Sequence, residues 1–352
     1  MPNIGTLQIK RLERLCNAVA VSGDEGEVRQ IVLEELKGFT DQVKVDALGN
    51  VLATRPGTAS RRPRVMLSAH MDEVGFMLVA DEGDGLYRFE IVGGIDVRQL
   101  PGKPVLVGRE HVPGVIGTKP IHLTSRDEMR HKVPLEALRI DVGPEGGKVK
   151  PGERATFATR FQRSGPALLS KSLDDRLGVA TLIELVRNAP AAVDLLAAFT
   201  VQEEIGLRGA RVAAYTFAPD LAIALDATPA YDLPVWDGEE NTSYNTRLGA
   251  GPAIYVSDGA TLSDPRLVRW LAGAGDAAGI PYQLRQPGGG GTDAGAIHAT
   301  RDGIPSVSLS VPHRYSHTPV SVARLDDWKN HLALAYAALE TIPKDLLSTE
   351  RK

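Results

Sequence analysis

The sequence predicts an α/β protein: a three-layer α/β sandwich that carries a small, barrel-like β domain as an insertion. Three observations predict this. Apolar strand-like runs alternate with amphipathic helical runs in the first 73 residues and again from residue 166 to the end, the signature of helices packed on a mostly parallel sheet. Between them the texture changes to short strand-like runs, with turn signals roughly every 8 to 12 residues and no long helical period. The chain, 352 residues and 43% hydrophobic, suffices for one large domain holding a second. The expected division is residues 1–73 with 166–352 for the sandwich, and 74–165 for the insertion.

The elements follow in order. The apolar period of residues 7 to 21 predicts a helix ending near Ser22-Gly23, and Val28, Ile31, Val32 and Leu36 give a second helix one apolar face. Val43 to Asp46 and Val51 to Thr54 flank Leu48-Gly49-Asn50 and predict a hairpin. Arg64 to Ser68 predicts a strand running into His70-Met71-Asp72-Glu73. In the insertion, Tyr87 to Val92, Pro104 to Val107, Val112 to Ile116 and Ala155 to Ala158 predict strands, punctuated by Gly93-Gly94, Pro101-Gly102, Pro113-Gly114 and Pro151-Gly152. Beyond it, helices are expected at Asp174 to Arg187, Gly209 to Tyr215, Asp264 to Ala278 and Leu325 to Ile342. Strands are expected at Leu195 to Val201, Leu221 to Leu225, Pro281 to Arg285 and Pro305 to Val311.

Composition excludes several function classes. The net charge of -4 and 5% aromatic content supply neither the basic surface nor the stacking platforms of a nucleic-acid binder. No run approaches the roughly 18 apolar residues of a membrane span. The start of the chain lacks the apolar core of a signal peptide. One cysteine, Cys16, cannot form a disulfide within the chain, and its helical apolar context marks it as a small buried hydrophobe. The expectation is a soluble, cytoplasmic protein.

The chemistry-bearing residues fall at strand ends. His70 and Asp72 follow one predicted strand, Glu203 and Glu204 a second, Asp226 closes a third, and His317 lies a few residues past a fourth. Asp174 and Asp175 open a helix. Sites in open α/β sheets form beyond the carboxyl ends of strands, so His70, Asp174, Glu204, Asp226 and His317 are the candidate metal ligands. Two histidines with three carboxylates suit zinc, cobalt or manganese. If one carboxylate bridges, five side chains hold two divalent ions. Of the pair Glu203-Glu204, one is then spare and can act as a base. Consecutive strand residues point to opposite faces, so both can reach one site only where the backbone leaves strand geometry, as Gly206 and Gly209 allow. The remaining histidines are expected to be structural or on the surface, with His298 and His313 nearest the site.

Four strings carry a resemblance: Ser68 to Phe76, Ser172-Leu173-Asp174-Asp175-Arg176-Leu177-Gly178, Gln202-Glu203-Glu204-Ile205-Gly206 and Arg314-Tyr315-Ser316-His317-Thr318-Pro319. Together with Gly93-Gly94-Ile95-Asp96, Val115 to Pro120 and Gly290 to Gly295, they make the chain similar to the TET-type dinuclear metallo-aminopeptidases. These are the glutamyl and deblocking aminopeptidase relatives, some of which carry an endoglucanase label. The resemblance spans nearly the whole chain in family order. It implies that His70 binds one metal together with Glu204, that Asp226 and a bridging Asp174 complete the pair, and that His317 serves the second ion. It implies Glu203 as general base and Asp72 as the hydrogen-bond partner of the free nitrogen of His70. It also implies that the insertion dimerises, that dimers build a hollow tetrahedral dodecamer, and that the substrates are peptides with a free N-terminus. The sequence departs from the family pattern at Val320-Ser321-Val322 and at His313. Alternatives are a related co-catalytic zinc hydrolase (carboxypeptidase, deacylase or dipeptidase), which the all-β insertion disfavours, and a non-catalytic assembly protein, which the complete residue set disfavours.

Overall fold

A computed structural model describes residues 1–60, 62–144, 146–234 and 245–348. Two helices, α1 (Thr6–Asn17) and α2 (Gly26–Leu36), precede the hairpin β1 (Val43–Val45) and β2 (Val51–Arg55), and then β3 (Arg64–His70). Six strands follow: β4 (Gly75–Asp81), β5 (Leu86–Val92), β6 (Pro104–Val107), β7 (Val112–Gly117), β8 (Arg139–Asp141) and β9 (Arg154–Phe157). The chain continues through β10 (Gln162–Ser164), β11 (Ala167–Ser170), α3 (Leu173–Arg187), β12 (Asp194–Thr200), α4 (Arg208–Phe217), β13 (Leu221–Pro229) and β14 (Ala253–Tyr255). It closes with α5 (Pro265–Ala278), β15 (Gln283–Arg285), the short α6 (Ala294–Ile297), β16 (Ser306–Arg314), β17 (Ser321–Arg324) and α7 (Leu325–Glu340).

The large sheet runs β1-β2-β12-β3-β13-β16-β17-β11-β10, with β14 on β16 and β15 on β14. Its centre, β12-β3-β13-β16, is parallel. These strands are apolar almost throughout because both faces are covered. Alternation splits them. Val65, Leu67, Leu195, Ala197 and Phe199 pack with α1, α2, α3, α5 and α7 on one face. Met66, Leu196, Ala198 and Ala222 pack with α4 and α6 on the other. That gives the three layers the sequence predicts. α5 shows how local signals set an element. Asp264 accepts from the Arg266 amide at 2.9 Å, Pro265 opens the helix, and Gly279 at φ 64° stops it.

The insertion closes as a six-stranded barrel, β4-β5-β8-β7-β6-β9. Phe76 fills it, meeting Phe89 and Phe157 edge-on at centroid distances of 5.2 Å. The barrel strands span Gly75 to Phe157, whereas β10, inside the expected 74–165 segment, pairs with β11 on the large sheet. Barrel and sandwich meet at Glu73. Its carboxylate accepts from the Ala20 amide (3.0 Å), Thr156 Oγ1 (3.0 Å) and Lys171 Nζ (2.8 Å).

Several boundaries differ from expectation. α1 ends at Asn17, not residue 21, because Ala20 and Val21 leave the helix to bond the backbone at Glu73. β13 and β16 run on to Pro229 and Arg314, so Asp226 and His313 lie within strands. Asp174 and Asp175 are not a regular first helical turn. Their backbone is non-helical and the peptide between them is cis. Among the described residues no helix is long and apolar enough to cross a membrane.

Candidate metal centre and active site

The site forms where the central parallel strands end. β3 delivers His70 and β12 ends at Thr200, its register partner. β13, next to β3 through Ala224↔Ser68, carries Asp226 two residues further on. Past β12 the backbone turns sharply, with Gln202 at φ 57° and Gly206 at φ 122°. This departure from strand geometry lets both Glu203 and Glu204 line one cleft. The turn is held by Asp72, whose carboxylate accepts from the amides of Glu203 (3.0 Å) and Glu204 (3.2 Å) and from Ser22 Oγ (2.6 Å).

Asp72 also faces His70. Its carboxylate stands 3.5 Å from His70 Nδ1, and its carbonyl oxygen is nearer at 3.2 Å. That leaves His70 Nε2 toward the cleft, 3.1 Å from Asp174 Oδ1 and 3.7 Å from Asp226 Oδ1. The other oxygen of Asp174 lies 3.6 Å from His317 Nε2, which is 3.1 Å from Glu204 Oε2. His317 is fixed from the barrel side, its Nδ1 lying 2.8 Å from the Gly94 carbonyl oxygen. A Cβ on Gly94 would come within 3.3 Å of that ring, so glycine permits the approach.

Among the described residues two groups of possible metal donors result: His70, Asp174 and Asp226, and Asp174, Glu204 and His317. These groups differ from the pairing of His70 with Glu204 that the resemblance implies. His70 and Asp226 sit side by side on adjacent strands, while the turn at Gln202 carries Glu204 across to His317. Bonds of about 2.0–2.1 Å in a tetrahedral set place neighbouring ligand atoms roughly 3.3 Å apart. The separations between 3.1 and 3.7 Å fit that spacing. Glu203 belongs to neither group.

Electrostatics follow from burying this much charge. Burial raises the pKa of Glu203 well above the carboxylate range, with Asp226, Glu204 and Asp293 adding to the shift against His70. Burial, aided by the charge of Asp174, pushes Asp226 up to about 7 although His70 opposes it. Asp174 is also buried, yet hydrogen bonds from His317 and His70 hold it well below its usual value. Burial alone would lower His317, but Asp174 and Glu204 raise it to about 11. Protons are drawn to the histidines because acids outnumber bases. A divalent cation would satisfy the same excess.

Other residues support the site without having been singled out. Asp175 accepts from the His70 amide (3.3 Å) and the Gly178 amide (2.9 Å). Arg176 donates to the carbonyls of Met71 and Asp72 (2.5 and 3.1 Å). Asp293, from the quoted Gly290 to Gly295 string, accepts from Thr200 Oγ1 at 2.7 Å. The signal was present in Asp174-Asp175-Arg176, but a pair of acids opening a helix ordinarily reads as first-turn charge. His331 is structural, with Nε2 2.9 Å from the Leu309 carbonyl oxygen. His313 is fully buried with neither nitrogen partnered, and burial lowers its pKa to about 4, so it is neutral. The cleft in front of the two groups encloses about 740 Å³.

Fold and site together define an α/β protein with two possible metal-donor groups at one cleft beyond the ends of its parallel strands. The chain belongs to the M42 glutamyl aminopeptidase family, whose sequence profile matches residues 49–334. It is 32% identical over 344 residues to the lysyl aminopeptidase of Pyrococcus furiosus, covering 94% of this chain and 96% of that protein. It is 30% identical over 337 residues to the glutamyl aminopeptidase of Lactococcus lactis, covering 90% and 92%. Among solved structures it resembles an aminopeptidase of Desulfurococcus kamchatkensis (TM-score 0.90, 34% identity, 97% and 96% covered). It also resembles the Pyrococcus horikoshii TET1 peptidase (TM-score 0.83, 32% identity, 95% and 100% covered), which can assemble into a tetrahedron or a large octahedral shell.

Proposed function

We propose that this chain is a two-metal aminopeptidase in which Asp174 bridges the ions, His70 and Asp226 complete one site, and Glu204 and His317 complete the other. The observation that carries this reading is the division of Asp174, one carboxylate oxygen toward each histidine. Divalent ions held there (zinc, cobalt or manganese) would polarise the scissile carbonyl and lower the pKa of the attacking water.

The chain's own residues do the rest. Glu203 faces the cleft, is in neither donor group, and has its proton affinity raised by burial, which suits a base working near neutral pH. It takes the proton of the attacking water and passes it to the leaving amine. Asp72 fixes the Glu203 backbone and the His70 ring, so base and metal site are held by one side chain. The substrates are peptides with a free N-terminus, and no feature supports a nucleic-acid or membrane partner. The barrel acts as a dimerisation domain, with dimers building a dodecamer. The assembly named for the Pyrococcus horikoshii relative and the exposed Ile121, Leu123 and Met129 support this. A lone, buried Cys16 supports a reducing, cytoplasmic setting.

The test is Glu203→Gln. Turnover of aminoacyl anilides should fall about 10²- to 10⁴-fold, with two metals per chain retained by elemental analysis. Near-normal turnover would remove Glu203 from the base role. Loss of a metal would make it a ligand.

A further inference from the structure

The family fixes the chemistry but not the residue removed, since relatives of similar identity are named for glutamyl and for lysyl substrates. This chain carries its own indication. Among the described residues four lysine or arginine side chains are buried: Arg11, Lys171, Arg176 and Arg285. The first three each meet a carboxylate, Arg11 with Glu35 and Glu184, Lys171 and Arg176 with Glu73. Among the described residues Arg285 meets none.

Arg285 ends β15 and lines the catalytic cleft. Its guanidinium stacks 4.2 Å from the centre of the Tyr255 ring. It donates to the carbonyls of Ser257 (3.2 Å) and Gly289 (3.0 Å), and its Nε has no partner. Three of five N–H donors therefore remain available. Two carbonyl dipoles do not supply a countercharge, and burying an uncompensated cation is costly. The acids of the cleft cannot serve either once the site is loaded. Asp174, Glu203, Glu204 and Asp226 line the cleft with Arg285, yet among the described residues none of them is within ion-pair distance of its guanidinium, and divalent ions would engage them first.

The placement fits a side chain of the substrate. β15 lies three ladder steps from β13 by way of β14 and β16. At about 4.8 Å a step this sets Arg285 roughly 14 Å across the sheet from the strand of Asp226, a span that the arginine and one substrate residue fill between them. The flanking loop is glycine: a Cβ at Gly288 would come within 3.2 Å of the guanidinium, whereas one at Gly289 or Gly290 would meet nothing within 4 Å, so the loop leaves the fork uncrowded. An arginine fork matches a carboxylate.

We infer that Arg285 reads the side chain of the substrate's first residue and selects peptides beginning with glutamate or aspartate. This rests on the aminopeptidase reading above. The test uses the metal-loaded enzyme on the 4-nitroanilides of glutamate, aspartate, leucine and lysine, and measures calorimetric binding of free L-glutamate, L-leucine and L-lysine. The acidic substrates should lead in kcat/KM, and L-glutamate should bind tightest. In Arg285→Gln the glutamate-to-leucine ratio of kcat/KM should fall about 10²-fold, chiefly through KM for glutamate, while Arg285→Lys should keep part of the preference. A wild-type enzyme that prefers leucine or lysine overturns the inference and leaves the aminopeptidase reading intact. An Arg285→Gln variant that loses all four substrates equally also overturns it. An enzyme that cleaves no anilide yet binds L-glutamate over L-leucine refutes the aminopeptidase reading and not the role of Arg285. One that shows no glutamate preference in either measurement refutes the inference. If Arg285→Gln fails to fold, the wild-type panel and Arg285→Lys still decide.

Discussion

Replacing Asp72 by alanine removes one carboxylate and strands three donors, the amides of Glu203 and Glu204 and the hydroxyl of Ser22. It also removes the charge 3.5 Å from His70 Nδ1. A hydrogen bond to a charged acceptor contributes about 1.5–3 kcal/mol. Two of the three donors can recover some solvent, because the turn at Glu203 and Glu204 is only partly buried. The local loss is then about 3–5 kcal/mol. Asp72 touches no substrate, so the effect on rate comes through the position of Glu203 and the orientation of His70. At saturating metal kcat should fall about 10- to 100-fold with a smaller change in KM, and Asp72→Asn, which keeps one accepting oxygen, should recover part of it. The assay is steady-state hydrolysis of an aminoacyl anilide, paired with metal content and urea unfolding. A variant within about twofold of wild type in kcat would refute the idea that Asp72 positions the base.

His317→Ala should leave the His70 group intact and reduce bound metal from two ions to one per chain by elemental analysis; two tightly held ions would contradict the grouping. Burial pushes the Cys16 thiol up to about 12, so the folded state keeps a proton that the unfolded chain releases near 9. The stability this brings is complete below about pH 9 and is lost as pH rises toward 12. Unfolding at about pH 10.5 should therefore show wild type losing roughly 2 kcal/mol more, relative to its value at pH 8, than Cys16→Ala does. Equal losses would place the thiol in contact with solvent.

Much of the site was legible because its residues sit at the ends of apolar runs, where a strand delivers a side chain to the sheet edge. His70 and Asp226 are cases of this, and the glycines after Glu203-Glu204 marked the turn that lets both reach the cleft. The grouping of ligands was not legible. It depends on β3 lying next to β13, a non-local pairing that no single stretch of sequence encodes, whereas the resemblance pairs His70 with Glu204. Asp175 and Arg176 were hidden for a different reason. Acids opening a helix are usually solvated, and only the packed structure shows that these hold the backbone of His70 and Asp72. The Gly94 carbonyl comes from the barrel side, so a contact across the two parts of the fold was required to reveal it. At the small scale, α1 stops early because Ala20 and Val21 serve the seam at Glu73, and β10 joins the large sheet through β11 rather than the barrel.

The central claim is that Asp174 is shared between two metal sites and that Glu203 stands outside both. A crystal of the zinc-loaded protein, measured at the zinc absorption edge, tests it most directly. Two anomalous peaks should appear, each within about 2.0–2.2 Å of its ligands. One peak should lie on His70 and Asp226, the other on Glu204 and His317, and both on Asp174, with no peak bonded to Glu203. A single peak, or a Glu203 oxygen in either coordination sphere, would contradict it.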